Sequence, residues 1–394
     1  MSAAFLERVR NNQARLTAEL KSQYDFIVCG SGSSGCVVAR RLAENPRMGC
    51  SCRSSEALLS GKDYLNVITR RAVMISKQTN RMAQFFASVT EEASKPGLDL
   101  TTIRDIYEKL HLAGTEPEGV TYAEVDVDGV PALWCMPKGC DANRVLLHMH
   151  GGGTVVLSMH LDRKAVGHIA KTAGVRALVL DYRRSPEYKF PAQIEDVEKA
   201  YHWLLGHGIR PEDIAITGQS IGANFAVSLA LALRSKRAVM PAAILSVSPW
   251  YDMELKSETI ESNAGNDKLL SRPLLERFRE SWLGGTGVTW NDPRVNLLYA
   301  DLTGLPPIQV CYGDHELFVG EAIEFANRAR NTGVDVSLRS VPEGQHNFIL
   351  GAGRVPEVDR AIEEMGQWLR SKLGLAGGSD SPQEGEILLV SKIT

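Results

Sequence analysis

Nothing in this 394-residue chain approaches the ~20 consecutive apolar residues that a membrane-spanning helix needs. Its first twenty residues are mixed polar and charged, unlike the apolar stretch of a secretory signal. No membrane partner is therefore expected, and the cytoplasm is the expected location. An excess of one charge is also missing: 44 Lys+Arg stand against 47 Asp+Glu, interspersed, for a net charge of −3. Without a basic patch, nucleic acid is not an expected partner. Cysteine is scarce, with seven residues at positions 29, 36, 50, 52, 135, 140 and 311. That odd, scattered set fits reduced thiols better than a disulfide framework. Cys50 and Cys52 lack a second pair at zinc-ligand spacing, so no metal is expected there. Internal repeats are absent as well.

What is present is an apolar share of 44%, enough for a sizeable core in a chain of this length. Three regions differ in character. Residues 1–73 hold a Gly-rich motif and then a stretch without periodicity, 74–375 read as one globular pattern, and 376–394 form a loose tail beginning Gly-Gly-Ser-Asp-Ser-Pro. In the middle region, short apolar runs alternate with helical patterns, which predicts an α/β fold with a largely parallel sheet covered on both faces. The expected strands are Val145–Met149, Ala177–Tyr182, Ile214–Thr217, Ala243–Val247 and Ile308–Tyr312. Expected helices cover Ile194–Leu205, Phe225–Leu233, Ala322–Ala329 and Ala361–Leu373. Residues 83–111 also read as helical but precede the sheet, which places them as a cap, with the cap region taken as mainly 74–125.

The sharpest chemical signal is Gly218-Gln219-Ser220-Ile221-Gly222, between the strand Ile214–Thr217 and a helix. A serine on such a turn has its hydroxyl thrust out of the sheet, and flanking glycines let the backbone turn without a clash. Taken without context, the same five residues describe only a tight turn with a capping serine. A second signal is His150-Gly151-Gly152-Gly153, directly after an apolar strand. Glycines leave backbone N–H groups uncovered, which suits an oxyanion hole formed by Gly152 and Gly153 and completed by the N–H of Ile221. The third is His346, in a loop between the strand-like run Val334–Val341 and the last helix. Among nine histidines, position selects this one, because the general base follows the last strand in the order Ser, acid, His. For the acid, both Asp314 and Glu316 lie just past Ile308–Tyr312, and the chemistry of either would serve.

These residues give the chain a clear resemblance to bacterial members of the hormone-sensitive-lipase family of esterases, over roughly Met82 to Leu373. The matching motifs include the His150–Gly153 run, Asp181-Tyr182-Arg183-Arg184-Ser185-Pro186-Glu187, Phe190-Pro191-Ala192, the Ser220 turn, and the acid and histidine loops. The resemblance implies an α/β-hydrolase fold with an eight-stranded core and a mostly N-terminal helical cap shaping the acyl pocket. It also implies hydrolysis of small to medium carboxylic esters through a Ser220 acyl-enzyme, no cofactor, and a homodimer. The family's acid stands about thirty residues before its histidine, which favours Glu316 and leaves Asp314 as the alternative. One departure stands out: the family's Gly-Asp-Ser-Ala-Gly-Gly is here Gly-Gln-Ser-Ile-Gly-Ala, with Gln219, Ile221 and Ala223 at the changed positions. A non-catalytic ligand-binding protein on the same fold is the alternative function, and the presence of His346 weighs against it.

Residues Tyr24–Pro46, with Gly30, Gly32 and Gly35, resemble the FAD-binding start of a glucose-methanol-choline oxidoreductase. A strand, a Gly-x-Gly-x-x-Gly turn and a helix would place a pyrophosphate at the helix N-terminus. The unit then stops. Met48–Ser55 is no second strand ending in an acidic residue for the ribose. Residues 1–73 therefore read as a fused remnant and not a working FAD domain, and a flavin oxidoreductase is the remaining, disfavoured alternative.

Overall fold

The computed structural model describes residues 75–375. The N-terminal region 1–73, expected as a fused remnant, and the tail 376–394 lie outside the described residues. Two helices open the described chain, α1 (Lys77–Ala93) and α2 (Leu100–Glu108), followed by a 3-10 turn at Lys109–Ala113. Ser76 and Asp99 cap them by accepting the N–H of Thr79 and Thr102. The faces carrying Met82, Phe86 and Val89 in α1 and Ile106 and Tyr107 in α2 are buried. The cap-like helices expected over 83–111 are thus present. The first strand of the sheet starts at Val120.

The sheet begins with β1 (Val120–Val127) and β2 (Val130–Pro137), an antiparallel hairpin joined by Asp128 and Gly129. Both linking residues have positive φ, 51° and 85°, as a tight two-residue hairpin turn requires. Then follow β3 (Asp141–Met149), α3 (Met159–Ala173), β4 (Val175–Leu180), α4 (Ala192–Gly206), β5 (Ile214–Gln219), α5 (Ile221–Ser235) and β6 (Ala243–Val247). The chain continues through α6 (Arg272–Leu283), β7 (Ile308–Gly313), α7 (Val319–Asn331), β8 (Val336–Val341) and α8 (Pro356–Lys372). Every residue of β5, β6 and β7 is buried, which is why these strands read as largely apolar runs.

The eight strands lie in the order β1-β2-β4-β3-β5-β6-β7-β8, parallel from β4 to β8. From β3 the chain moves to β4 on one side, and from β4 it returns past β3 to β5 on the other. With right-handed crossovers, this reversal puts α3 and α4 on opposite faces of the sheet. α3 packs against α8, and α4 against α5. Adjacent parallel strands whose connections diverge open a crevice at their carboxyl ends. Here those strands are β3 and β5, and the Gly151–Gly153 loop and Ser220 follow directly from them.

Candidate active site

Ser220 sits between β5 and α5 with φ 55° and ψ −124°, a strained conformation for a non-glycine residue. Its N–H donates to Val247 O on β6 at 2.9 Å, which ties the turn to the sheet. The helix after it passes so close to β3 that a side chain at Gly222 would collide with the carbonyls of Met149 and His150. Close approach of this kind explains the glycine and brings the two loops together.

His346 bridges Ser220 to a carboxyl. Its Nε2 lies 3.0 Å from Ser220 Oγ and its Nδ1 lies 2.9 Å from Glu316 Oε2. With a carboxyl oxygen facing Nδ1, the imidazole carries its proton on Nδ1, leaving Nε2 to accept from the hydroxyl. Glu316 is fully buried, and its other oxygen accepts the N–H of Gly313 at 2.8 Å. Of the two carboxyls, it is Glu316, the one the family spacing favours, that meets His346. Asp314 is half-buried, and its backbone joins the neighbouring segments: its N–H donates to Val341 O and its carbonyl accepts from Asn263 Nδ2.

Burial lowers the His346 imidazole to about 4, against the opposing pull of Asp267, so the ring is neutral and able to accept a proton. Burial also pushes the Glu316 carboxyl up, opposed by hydrogen bonds from Ser248 and the Gly313 N–H. The ring is held edge-to-face on Phe318, with centroids 5.1 Å apart.

Facing Ser220 is the glycine loop. Gly152 and Gly153 have φ of 90° and 59°, and a Cβ on Gly152 would collide with Val156 O. The N–H groups of Gly152, Gly153 and Ile221 meet no acceptor among the described residues. Three uncovered donors thus lie around the serine, the last at a helix N-terminus where negative charge is favoured. Tyr182 braces the loop from below: its ring stacks on His150 at 4.2 Å and its hydroxyl donates to His150 O at 2.8 Å.

Above the serine is a small cavity of about 30 Å³. Besides Ser220, His346 and the two glycines it is lined by Tyr107 from α2, Leu157, Leu274 and Phe278. Sequence reading found the N-terminal wall but missed the second one, which is α6 and the loop before it. Phe278 packs so closely on Gly153 that a Cβ there would run into its ring. Asp267, also missed, is buried and accepts the N–H groups of Leu269, Leu270 and Leu317, joining the pocket wall to the acid loop. A lone Asp after Asn266 carries no local signal of that role. Among the described residues no group of His, Cys, Asp and Glu side chains could hold a metal ion, and no helix is long and apolar enough to cross a membrane.

A family model described as alpha/beta hydrolase fold matches residues 146–350. An acetyl-hydrolase of Streptomyces hygroscopicus is 35% identical over 253 residues, which are 64% of this chain and 83% of the relative. An esterase of Acinetobacter venetianus is 31% identical over 230 residues, 58% of this chain and 76% of the relative. Among solved structures, an esterase from the bacterial hormone-sensitive lipase family is 35% identical, with a TM-score of 0.72, covering 76% of this chain and 99% of that one. The eight-stranded, mostly parallel sheet, the glycine loop beside the Ser220 turn and these relatives agree: the chain belongs to the alpha/beta hydrolase fold family and, within it, to the bacterial hormone-sensitive lipase group.

Proposed function

We propose that the protein is a serine carboxylesterase acting on small esters with Ser220, His346 and Glu316 as its catalytic residues. What carries the reading is the hydrogen-bonded line Ser220 Oγ, His346, Glu316, at 3.0 Å and 2.9 Å, beside a cavity that Gly152 and Gly153 line. His346 Nε2 takes the hydroxyl proton as Oγ bonds to the ester carbonyl carbon. The carbonyl oxygen becomes an oxyanion held by the N–H groups of Gly152, Gly153 and Ile221, each such donor supporting about 10²–10³ in rate. Collapse of this intermediate breaks the bond to the alcohol oxygen, which leaves with the proton from His346. Water then repeats the sequence on the acyl-enzyme and frees the acid. Glu316 stabilises the imidazolium that forms in each step.

A cavity of about 30 Å³ walled by Leu274, Phe278 and Leu157 suits a short acyl group. The names of the relatives, an acetyl-hydrolase and an esterase, point to the same substrate class. The test is hydrolysis of p-nitrophenyl acetate by the wild type and by Ser220→Ala. A wild type without turnover that binds a small ligand tightly would overturn the enzyme reading in favour of a binding protein.

A further inference from the structure

The elbow's departure from its family has a partner beneath it. Gln219 is fully buried, and its Nε2 donates to Asp162 Oδ1 at 2.6 Å. Asp162, equally buried in the first turn of α3, has its Oδ2 3.0 Å from Nε2 of His148 on β3. The other nitrogen of His148 lies 2.8 Å from Thr217 Oγ1 on β5. One protonation pattern satisfies the whole line: Nε2–H of His148 donates to Asp162, and the Thr217 hydroxyl donates to Nδ1. Asp162 then accepts from two sides and needs a donor, not a second acid, at position 219. The Gln219 stem meanwhile lies beside both halves of the site, since a Cβ on Gly151 would stand 3.4 Å from Gln219 Cγ and 3.2 Å from Ser220 Cβ. Gln219 Oε1 has no hydrogen-bond partner among the described residues. Burying that orphan is costly, and the donated bond to Asp162 is what offsets it.

We propose that Asp162, held by His148, is a positioning residue that fixes Ser220 through the Gln219 amide, and that this is why the elbow carries Gln in place of the family's Asp. The inference rests on Ser220 being the nucleophile. It separates elbow variants by polarity: an amide donor at 219 matches Asp162, whereas a carboxyl there sets oxygen against oxygen unless the two share a proton. The titratable groups facing Asp162 are His148, His150, Tyr182, Cys135 on β2 and Glu108 on α2. None of them is a donor placed between positions 162 and 219.

The experiment measures kcat and KM on p-nitrophenyl acetate for wild type, Ser220→Ala, Gln219→Glu, and the double variant Gln219→Glu/Asp162→Asn, across the pH range in which each is folded. Inactivity of Ser220→Ala establishes the nucleophile separately, so its failure would be the failure of the proposed function and not of this inference. Gln219→Glu keeps the stem and volume but reverses the end group. Its kcat is expected to fall about 10²-fold at alkaline pH, the scale of a misplaced reacting group, and to recover as the pH is lowered and the two carboxyls share a proton. KM is expected to change by less than about threefold, because the loss is in the reacting geometry and not in substrate binding. The double variant restores one donor and one acceptor with reversed polarity, and is expected to regain kcat and lose the inverted pH dependence. A Gln219→Glu protein with wild-type kcat at every pH, or a double variant no better than the single one, would overturn the proposal. Should Gln219→Glu not fold, Gln219→Asn carries the test: its amide is one methylene too short to reach Asp162, so a wild-type kcat there would equally refute it.

Discussion

Glu316→Gln isolates what the buried carboxyl does for His346. The substitution preserves volume and leaves one oxygen to accept the Gly313 N–H, now made at 2.8 Å by Glu316 Oε1. It places an amide N–H against His346 Nδ1, where Glu316 Oε2 sits at 2.9 Å. Two donors cannot face each other, so the imidazole must move its proton to Nε2, the atom 3.0 Å from Ser220 Oγ. A protonated Nε2 cannot take the serine proton, and the imidazolium formed later loses its counter-charge. When a triad carboxylate becomes an amide, the wrong tautomer costs about 10⁴ in kcat, or about 5.5 kcal/mol of transition-state stabilisation. Asp314→Asn changes a half-buried side chain and leaves the Glu316 bond to Nδ1 in place, and a cost of less than about threefold is expected. Initial rates on p-nitrophenyl acetate, with thermal unfolding as the check on folding, compare the two. A Glu316→Gln enzyme within about tenfold of wild type, or a larger loss from Asp314→Asn, would refute the assignment of the acid.

Three further outcomes follow from the site. Gly152→Pro deletes one of the unpaired N–H groups and cannot adopt φ 90°, so kcat should fall by at least about 10²–10³; folded protein retaining activity within tenfold would exclude this loop from the oxyanion site. Because burial lowers His346 to about 4 and the neutral ring is the base, kcat/KM should hold as pH falls through 6 and drop only as the ring protonates below the ordinary histidine range; an acid limb at or above about 6.5 in the pH profile contradicts this. Phe278→Ala removes the ring that covers Gly153 and walls the cavity, and should raise the rate on longer acyl esters relative to acetate by about tenfold; an unchanged acyl-chain profile would remove Phe278 from the pocket account.

Strands covered on both faces were the legible part of the fold. Ala243–Val247 falls where the apolar run placed it, and Ile214 and Ile308 start their strands as expected, with β5 and β7 running one or two residues further. The expected strand Ala177–Tyr182 runs two residues past the end of β4, whose ladder ends with the pair Ala132 and Leu180. The β1–β2 hairpin escaped the apolar criterion. β1 is an edge strand with Glu124 and Asp126 interleaved, and β2 begins and ends near Pro131 and Pro137, so neither forms a clean apolar run. Its legible signal was the Asp128-Gly129 pair, which demands the positive φ values found there.

The site divides in a similar way. Ser220, His346 and the glycine loop were readable because each stands at a strand end whose order along the chain carries meaning. Residue chemistry alone did not choose between Asp314 and Glu316, since that depends on which carboxyl the turn after β7 directs inward; only the family's thirty-residue spacing favoured Glu316. The α6 wall was invisible for a related reason: Phe278 reaches the cavity only because the chain between β6 and β7 folds back over the crevice, and its own helix pattern says nothing of what it covers.

The most direct test of the central claim is mass spectrometry of the protein trapped during turnover of a slow ester, for wild type and Ser220→Ala. The expected result is an acyl mass increment in the wild type that maps to the peptide containing Ser220, absent from Ser220→Ala together with turnover. Full hydrolysis by Ser220→Ala, or an acyl group on another residue in the wild type, would contradict the account.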